Sequence, residues 1–112
     1  MKDINQVFLQ GRIGDDYKYL KTQDGKEYAT FTLLVEGYYR NTPSMTMIRI
    51  MVFDAPLVSY LKSVKAHQGN RCSIVGMVTS YSKEIKGQNI IQNNVYVRDI
   101  MIMKTQPNSQ TT

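Results

Sequence analysis

The sequence predicts an all-β domain in which five short strands form a small barrel, with one short helix between the third and fourth strands. Side chains of unlike polarity alternate with a period of two over most of the chain, which is typical of strands that bury one face. One segment, residues 57–64, instead has apolar residues at the spacing of a helix. Glycines stand near the expected strand bends, as a small Greek-key barrel requires.

The first strand and a hairpin are expected at the start of the chain. Residues 4–13 alternate aliphatic with polar or aromatic side chains, and Gly11 predicts a bulge or sharp bend there, as at a barrel corner. The basic and aromatic segment 17–21 is expected to form the first arm of a hairpin, because Asp24-Gly25 is a strong turn signal.

The second and third strands are expected on either side of a loop. Residues 27–36 place Phe31 and Leu33 on a core face, and residues 41–44 are predicted as a loop because they contain Asn, Pro and Ser. Residues 47–53 alternate three aliphatic side chains with an arginine, two methionines and a phenylalanine. The aliphatic set suits the core, whereas a solvated face explains the second set poorly.

The predicted helix follows the third strand. Asp54 is expected to cap it, and Pro56 is tolerated in its first turn, where a backbone N–H lacks a partner in any case. The sequence His-Gln-Gly-Asn at 67–70 ends it. Its apolar stripe consists of Leu57, Tyr60, Leu61 and Val64.

Two more strands complete the predicted barrel. Residues 71–81 alternate again and place Cys72 on the core face. Residues 82–89 are polar and are predicted as a hairpin tip. The last strand is expected over 90–103, with an irregularity at Asp99 where the alternation shifts.

These elements favour a Greek-key barrel of the OB type over residues 1–104, followed by a short disordered polar tail, 105–112. An SH3-like barrel would normally lack this helix, and a two-layer α+β domain would normally contain more helix.

The composition of the chain favours some classes of function over others. The net charge of +5 favours a polyanionic partner such as nucleic acid, although a basic surface that aids solubility has the same charge. The single cysteine cannot form an internal disulfide. The N-terminal residues lack the apolar run of a signal peptide and no apolar run could span a membrane, so a cytoplasmic protein is expected.

Catalysis is not expected. The sequence contains no carboxylate pair, metal-ligand spacing or glycine loop that would cradle a phosphate. His67 is interpreted as a helix-end residue. We therefore predict no catalytic residue, metal or cofactor.

Aromatic and cationic side chains interleave along several predicted strands, which suits binding to a single nucleic-acid strand. Stacking on aromatic rings is worth about 1–3 kcal/mol per base whatever the sequence, and neighbouring cations neutralise phosphates. Any of these rings could instead pack at a barrel edge or subunit interface, and Tyr96 is expected there or in the core. Tyr17 and Tyr19 are weaker candidates. The candidate DNA-binding residues are Arg12, Lys18, Tyr38, Tyr39, Arg40, Arg49, Phe53, Tyr81, Lys83 and Lys86.

Five segments also carry a family resemblance. They are INQVFLQGRIGDD (4–16), ATFTL (29–33), IRIMVF (48–53), the helix and turn at 57–69, and SIVG (73–76). In this order they resemble the bacterial and phage single-stranded DNA-binding protein family. The resemblance implies an OB barrel that commonly assembles as a homotetramer and wraps single-stranded DNA without sequence preference.

The resemblance also implies roles for individual residues. Tyr39 stands where the family has a stacking tryptophan, Phe53 matches its stacking phenylalanine, and Arg49 matches a basic residue. Met47 falls where the family often has another tryptophan, and Tyr81 lies near a basic or aromatic position.

The chain departs from the family in two ways. It contains no tryptophan, and its last residues lack the acidic tip with which cellular members recruit other proteins. The resemblance therefore implies a short version, as phages and mobile elements carry, that acts in DNA replication, recombination or repair. The alternative is a primosomal-type accessory subunit that docks on a polymerase, helicase or primase. RNA binding also stays open.

An oligomer is expected, either a homodimer or a homotetramer. Met51, Val75 and Met77 are predicted on outward faces, where a subunit interface is their simplest use.

Overall fold

The structure is a computed structural model that describes residues 2–103, which form six strands and one helix. Helix α1 (Ala55–Ser63) lies between β4 and β5. The predicted tail, 105–112, lies outside the described residues. The strands are β1 (Val7–Ile13), β2 (Lys18–Lys21), β3 (Glu27–Tyr39), β4 (Thr42–Val52), β5 (Arg71–Ile85) and β6 (Gln88–Met103).

Five of these strands close into a ring. The hydrogen-bonded order is β1-β5-β6-β4-β3-β2, and an additional pairing of β1 with β3 closes it. The β4–β6 pair is parallel, and the other pairs are antiparallel. The ring confirms the predicted OB barrel, with the helix in its predicted place. The short strand β2 pairs with β3 outside the ring and is the hairpin arm predicted at 17–21.

The ring encloses one apolar core because alternate side chains of each strand point inward. Phe31 and Leu33 of β3 and Ile50 of β4 are fully buried, as predicted. Cys72 is also fully buried, and burial raises the pKa of its thiol to about 11. This thiol is therefore a small core group and not a reactive one.

Helix α1 covers one end of the core. Leu61 is fully buried as predicted, but Val58 is buried beside it, while Leu57 and Val64 of the predicted stripe are only partly buried. Asp54 is the N-cap residue, yet its side chain makes no capping hydrogen bond within the described part of the chain. The backbone carbonyl of Asp54 instead accepts the first helical hydrogen bonds.

The two loops predicted at 41–44 and 82–89 are wrong in length. The first is a two-residue turn at Arg40-Asn41, with φ of 51° and 66°, and β4 begins at once with Thr42. The second turn is Lys86-Gly87, with φ of 52° and 78°. Two successive residues with positive φ are typical of tight hairpin turns. The β3–β4 and β5–β6 pairs therefore continue past the barrel as two ribbons whose faces are both exposed, so no apolar alternation marks them.

A bulge explains the shift in alternation on β6. Val75 pairs with Asp99 and Gly76 with Val97, so Arg98 is the extra residue. This confirms an irregularity within one residue of the predicted place. Of the bulge or sharp bend predicted at Gly11, the bulge is excluded, because the register of β1 has no shift there. The corner itself is confirmed, because β1 passes there from pairing with β5 to pairing with β3.

Gly76 marks a close approach of two backbones. A Cβ atom added to it would lie 2.2 Å from the carbonyl oxygen of Tyr96. We expect Gly76→Ala to lower the free energy of unfolding by about 1–3 kcal/mol, because the paired strands would have to move apart. Gly37→Ala is the matched control, since Gly37 also lies in a strand but its added Cβ would meet nothing within 4 Å. Urea unfolding measures both, and equal losses would contradict the close approach.

Candidate nucleic-acid interface

An open groove of about 590 Å³ runs along the outer face of β3 and β4 and is walled by the β5–β6 ribbon. It brings together three of the predicted site residues, Lys18, Arg49 and Tyr81. Its lining contains two cations, two tyrosines and no carboxylate. The lining residues are Lys18, Leu20, Tyr28, Thr30, Met47, Arg49, Met51, Tyr81, Gln92, Asn93 and Asn94.

Arg49 is held on the floor of this groove by a small polar network. Its Nη1 lies 3.3 Å from Oδ2 of Asp16 and 3.4 Å from the hydroxyl oxygen of Thr30. Asp16 in turn accepts hydrogen bonds from the backbone N–H and the hydroxyl of Thr32, at 2.8 and 2.7 Å. Burial alone would raise the pKa of Asp16, but the Thr32 hydrogen bonds and the Arg49 charge together lower it. A guanidinium has five N–H donors, so donors remain on Arg49 for a ligand.

Asp16 is one of the residues whose role the sequence did not reveal. From the sequence alone, the simplest interpretation of the adjacent Asp15 and Asp16 is that both are solvated residues at the end of the first strand. The structure instead pairs Asp16 with Arg49, because the β3–β4 register places Thr32 directly opposite Arg49.

Phe53 lies just beyond the end of β4, next to the groove, and is 39% exposed. Its ring centroid is 4.7 Å from that of Tyr28, nearly parallel to it, and 5.0 Å from that of Tyr96, tilted by 52°. Of the two places predicted for Tyr96, an interface or the core, its 40% exposure on the outer face excludes the core. Tyr28 was not predicted at all, and only the strand register, unknown from sequence, places it beside Phe53.

The β3–β4 ribbon carries three predicted residues beyond the groove lining. Tyr38 and Tyr39 are 79% and 65% exposed, and the Arg40 guanidinium lies 5.4 Å from the centroid of the Tyr39 ring. Because side chains alternate along a strand, Tyr38 shares the ribbon face of Arg49, whereas Tyr39 lies on the opposite face.

The β5–β6 ribbon carries three more. The hydroxyl of Tyr81 donates a hydrogen bond to the side-chain oxygen of Gln92, which fixes the ring at the groove wall. Lys83 and Lys86 are exposed nearer the ribbon tip, and Lys86 forms part of the turn. These lysines lie beyond the groove lining.

Arg12 and the two tyrosines of the segment 17–21 lie outside the groove. Arg12 forms a salt bridge with Glu36 and does not line the groove. Tyr17 stacks on Phe31, with ring centroids 5.5 Å apart, and its hydroxyl is 2.8 Å from that of Tyr19. Burial raises the pKa of Tyr17. Tyr17 and Tyr19 therefore pack against the core. This position agrees with the expectation that they are weaker candidates for DNA binding than the other tyrosines.

Residues 2–103 contain no group of three or more His, Cys, Asp or Glu residues that could hold a metal ion. None of the helices that the structure describes is long and apolar enough to cross a membrane.

The closed ring and its open groove define an OB-type barrel whose outer face carries cations and aromatic rings. The Single-strand binding protein family matches residues 4–104, and the chain therefore belongs to that family. No curated protein sequence matches the chain.

Solved structures share the fold. A Plasmodium falciparum SSB in complex with ssDNA is similar to this chain at 20% identity and a TM-score of 0.81, covering 93% of this chain and 98% of that one. The mitochondrial single-stranded DNA binding protein Rim1 from S. cerevisiae is similar at 18% identity and a TM-score of 0.70, covering 94% and 100%.

We expect Asp16→Asn to lower the free energy of unfolding at neutral pH by about 1 kcal/mol, because a charged acceptor is replaced by a neutral amide. The pKa of Asp16 is below its ordinary 3.8 in the folded protein. The ionised carboxylate therefore stabilises the fold above that value, and this contribution is lost as the pH falls through the lower folded pKa.

The difference in stability between wild type and Asp16→Asn should accordingly shrink below about pH 4. Urea unfolding at several pH values measures it. A difference that stays constant down to acid pH would show that the carboxylate charge has no part in the network.

Proposed function

We propose that the protein binds single-stranded DNA without sequence specificity, by aromatic stacking and phosphate neutralisation. The observation that carries the proposal is the groove in which Lys18 and Arg49 lie between Tyr28 and Tyr81 on the outer face of the barrel. Family membership and the likeness to single-stranded DNA-binding proteins support it. We place this activity in the replication, recombination or repair of DNA in the cytoplasm, in a phage or mobile element, with the protein acting as a homodimer or homotetramer.

The groove suits an unpaired strand for a physical reason. Aromatic rings at the wall and floor of the groove can stack only on bases whose faces are free. In a duplex those faces are already stacked on neighbouring bases. Lys18 and Arg49 lie between these rings. The phosphates that connect the stacked bases would come close to them there. Because every base has an aromatic face, stacking of this kind does not depend on sequence.

The two ribbons extend the same surface. Tyr38 on one ribbon, and Lys83 and Lys86 on the other, are exposed and need no rearrangement to meet a strand that leaves the groove. Tyr39, with Arg40 over its ring, lies on the opposite ribbon face and would meet a strand that wraps around the ribbon. Hairpin ribbons of this kind move more easily than the barrel because they lack a packed face. They can therefore close over a bound strand.

A second candidate function rests on a different observation. Ile85, Ile90 and Ile91 on the β5–β6 ribbon are 39%, 39% and 72% exposed. Base stacking does not require these aliphatic side chains, whereas contact with a protein does. They favour the alternative of an accessory subunit that docks on a polymerase, helicase or primase.

Titration with oligo(dT) of increasing length tests the primary proposal. We expect tight binding that tolerates any base composition, weakens steeply with salt, and is much stronger than binding to duplex of equal length. RNA oligonucleotides of the same lengths measure the preference between the two nucleic acids. Binding that appears only when a replication protein is added would support the accessory subunit instead.

Substitution of the groove arginine tests the mechanism. We expect Arg49→Met to weaken single-strand binding by about 1.5–3 kcal/mol, the value of a charged hydrogen bond. It should also reduce the slope of log affinity against log salt by about 0.7, the contribution of one phosphate contact on a single strand. The methionine keeps the unbranched stem between Met47 and Met51 on the same strand face.

Arg71→Met is the matched control, because Arg71 is an exposed strand arginine opposite Arg12 and outside the groove. Arg71→Met should bind with nearly the wild-type affinity, because it removes a charge that lies away from the groove. An equal loss in both variants would mean that net charge and not the groove governs binding.

A further inference from the structure

We propose that Tyr28 and Tyr96, with Phe53 between them, form a second base-stacking surface that extends the groove past the end of β4. These three rings are called the aromatic trio below. The inference rests on the proposed binding of single strands and deepens it. It assigns a binding role to Tyr96 and extends that of Tyr28, which also lines the groove, and the ligand of the surface is an unpaired base.

The strand register builds the aromatic trio from three separate strands. Ala29 of β3 pairs with Val52 of β4, which brings Tyr28 beside Phe53. Met51 of β4 pairs with Tyr96 of β6, which brings the third ring to the other side. The resulting centroid distances of 4.7 and 5.0 Å are those of favourable aromatic contacts.

The bulge on β6 is what turns Tyr96 outward. Ile100 and Ile102 point into the core, so an uninterrupted alternation would bring Tyr96 into the core and Val97 to the surface. The extra residue at Arg98 reverses this order, and Val97 is buried while Tyr96 is exposed. The chain therefore keeps a large ring on the outer face by an irregularity in its backbone.

Folding does not need these rings in the core. The inward neighbours Ala29 and Val52 are fully buried and Val95 nearly so, and they fill the interior at this end of the barrel. Phe53 and Tyr96 remain 39% and 40% exposed. Large aromatic rings that pack on one another and still remain about two fifths exposed indicate a contact surface.

The aromatic trio continues the groove. Tyr28 lines the groove on one side and contacts Phe53 on the other. Phe53 also lines a neighbouring cavity of about 440 Å³, together with Lys26, Asp54 and residues of α1. A base that follows those bound in the groove would therefore meet the ring of Phe53 or Tyr96.

The charges nearby favour a base over a phosphate at this place. The cavity beside Phe53 is lined by the cation of Lys26 and by the carboxylates of Asp54 and Glu27, and Glu27 is paired with Lys62. The lining therefore has no surplus of positive charge to hold a phosphate, whereas the neutral face of a base can stack on the rings.

The absence of tryptophan gives a direct test. Tyr96→Trp would introduce the only tryptophan in the chain, so its fluorescence reports on this place alone. Titration of the full chain with oligo(dT) should quench it as the strand stacks on the ring. Phe8→Trp is the control, since Phe8 is 67% exposed on β1, outside the groove, and should show no quenching.

Leucine and phenylalanine substitutions give a second readout. Tyr28→Leu and Tyr96→Leu should each weaken oligo(dT) binding about fivefold or more, whereas Tyr28→Phe and Tyr96→Phe should bind like the wild type, because stacking needs the ring and not the hydroxyl. Light scattering on each variant reports its assembly state, and circular dichroism confirms its fold.

Each outcome decides the inference. Quenching in Tyr96→Trp, with weaker binding in the leucine variants at unchanged molecular mass, supports it. An unquenched tryptophan at position 96, while Arg49→Met still loses affinity, overturns it and leaves the proposed function intact. Dissociation of the leucine variants into smaller assemblies that bind normally per protomer also overturns it, because the rings would then form a subunit interface. A wild-type chain that binds no oligo(dT) at any length would overturn both.

Discussion

The double pairing of β1 is the constraint on which this structure depends. Arg12 takes part in both pairings, with Arg71 of β5 and with Leu34 of β3. The approach is so close that a Cβ on Gly11 would lie 2.4 Å from the carbonyl oxygen of Leu34. Closure of the ring gives each of its five strands one inner and one outer face, and the inner faces complete the core together with Val58 and Leu61 of α1. The outer face is therefore not needed to fill the core and can carry rings and cations.

Closure of the ring also determines which side chains of the outer face lie next to one another. The parallel pairing of β4 with β6 joins two segments that the helix and a long hairpin separate in the chain. It places the groove floor around Arg49 beside the wall that carries Tyr81 and Gln92. The bulge at Arg98 then corrects the alternation so that Tyr96 joins the outer face. A single pairing and a single extra residue thus decide which side chains share the surface.

The sequence predicted the barrel well because the core strands contrast sharply in polarity, as at Phe31 and Ile50. It failed at the ribbons, because both of their faces are exposed and tight turns need only two residues. The site was predicted in part. Arg49 and Tyr81 could be proposed from residue type, but which residues share a groove depends on the β4–β6 register, which no local pattern encodes. For the same reason no local sequence pattern pointed to Tyr28.

Arg49 is the groove cation expected to bind a phosphate, yet it is already paired with the carboxylate of Asp16. A partly exposed ion pair contributes little to stability, so a phosphate does not have to overcome a strong interaction. What the pair does provide is orientation, since Asp16 is itself fixed by two hydrogen bonds from Thr32 and Nη1 of Arg49 contacts both Asp16 and Thr30. A guanidinium held in this way loses less side-chain freedom when a strand binds, and that saving adds to affinity. Within residues 2–103, no carboxylate forms an ion pair with Lys83 or Lys86 near the tip of the β5–β6 ribbon. These lysines suit a different task, the attraction of a phosphate backbone over longer distances.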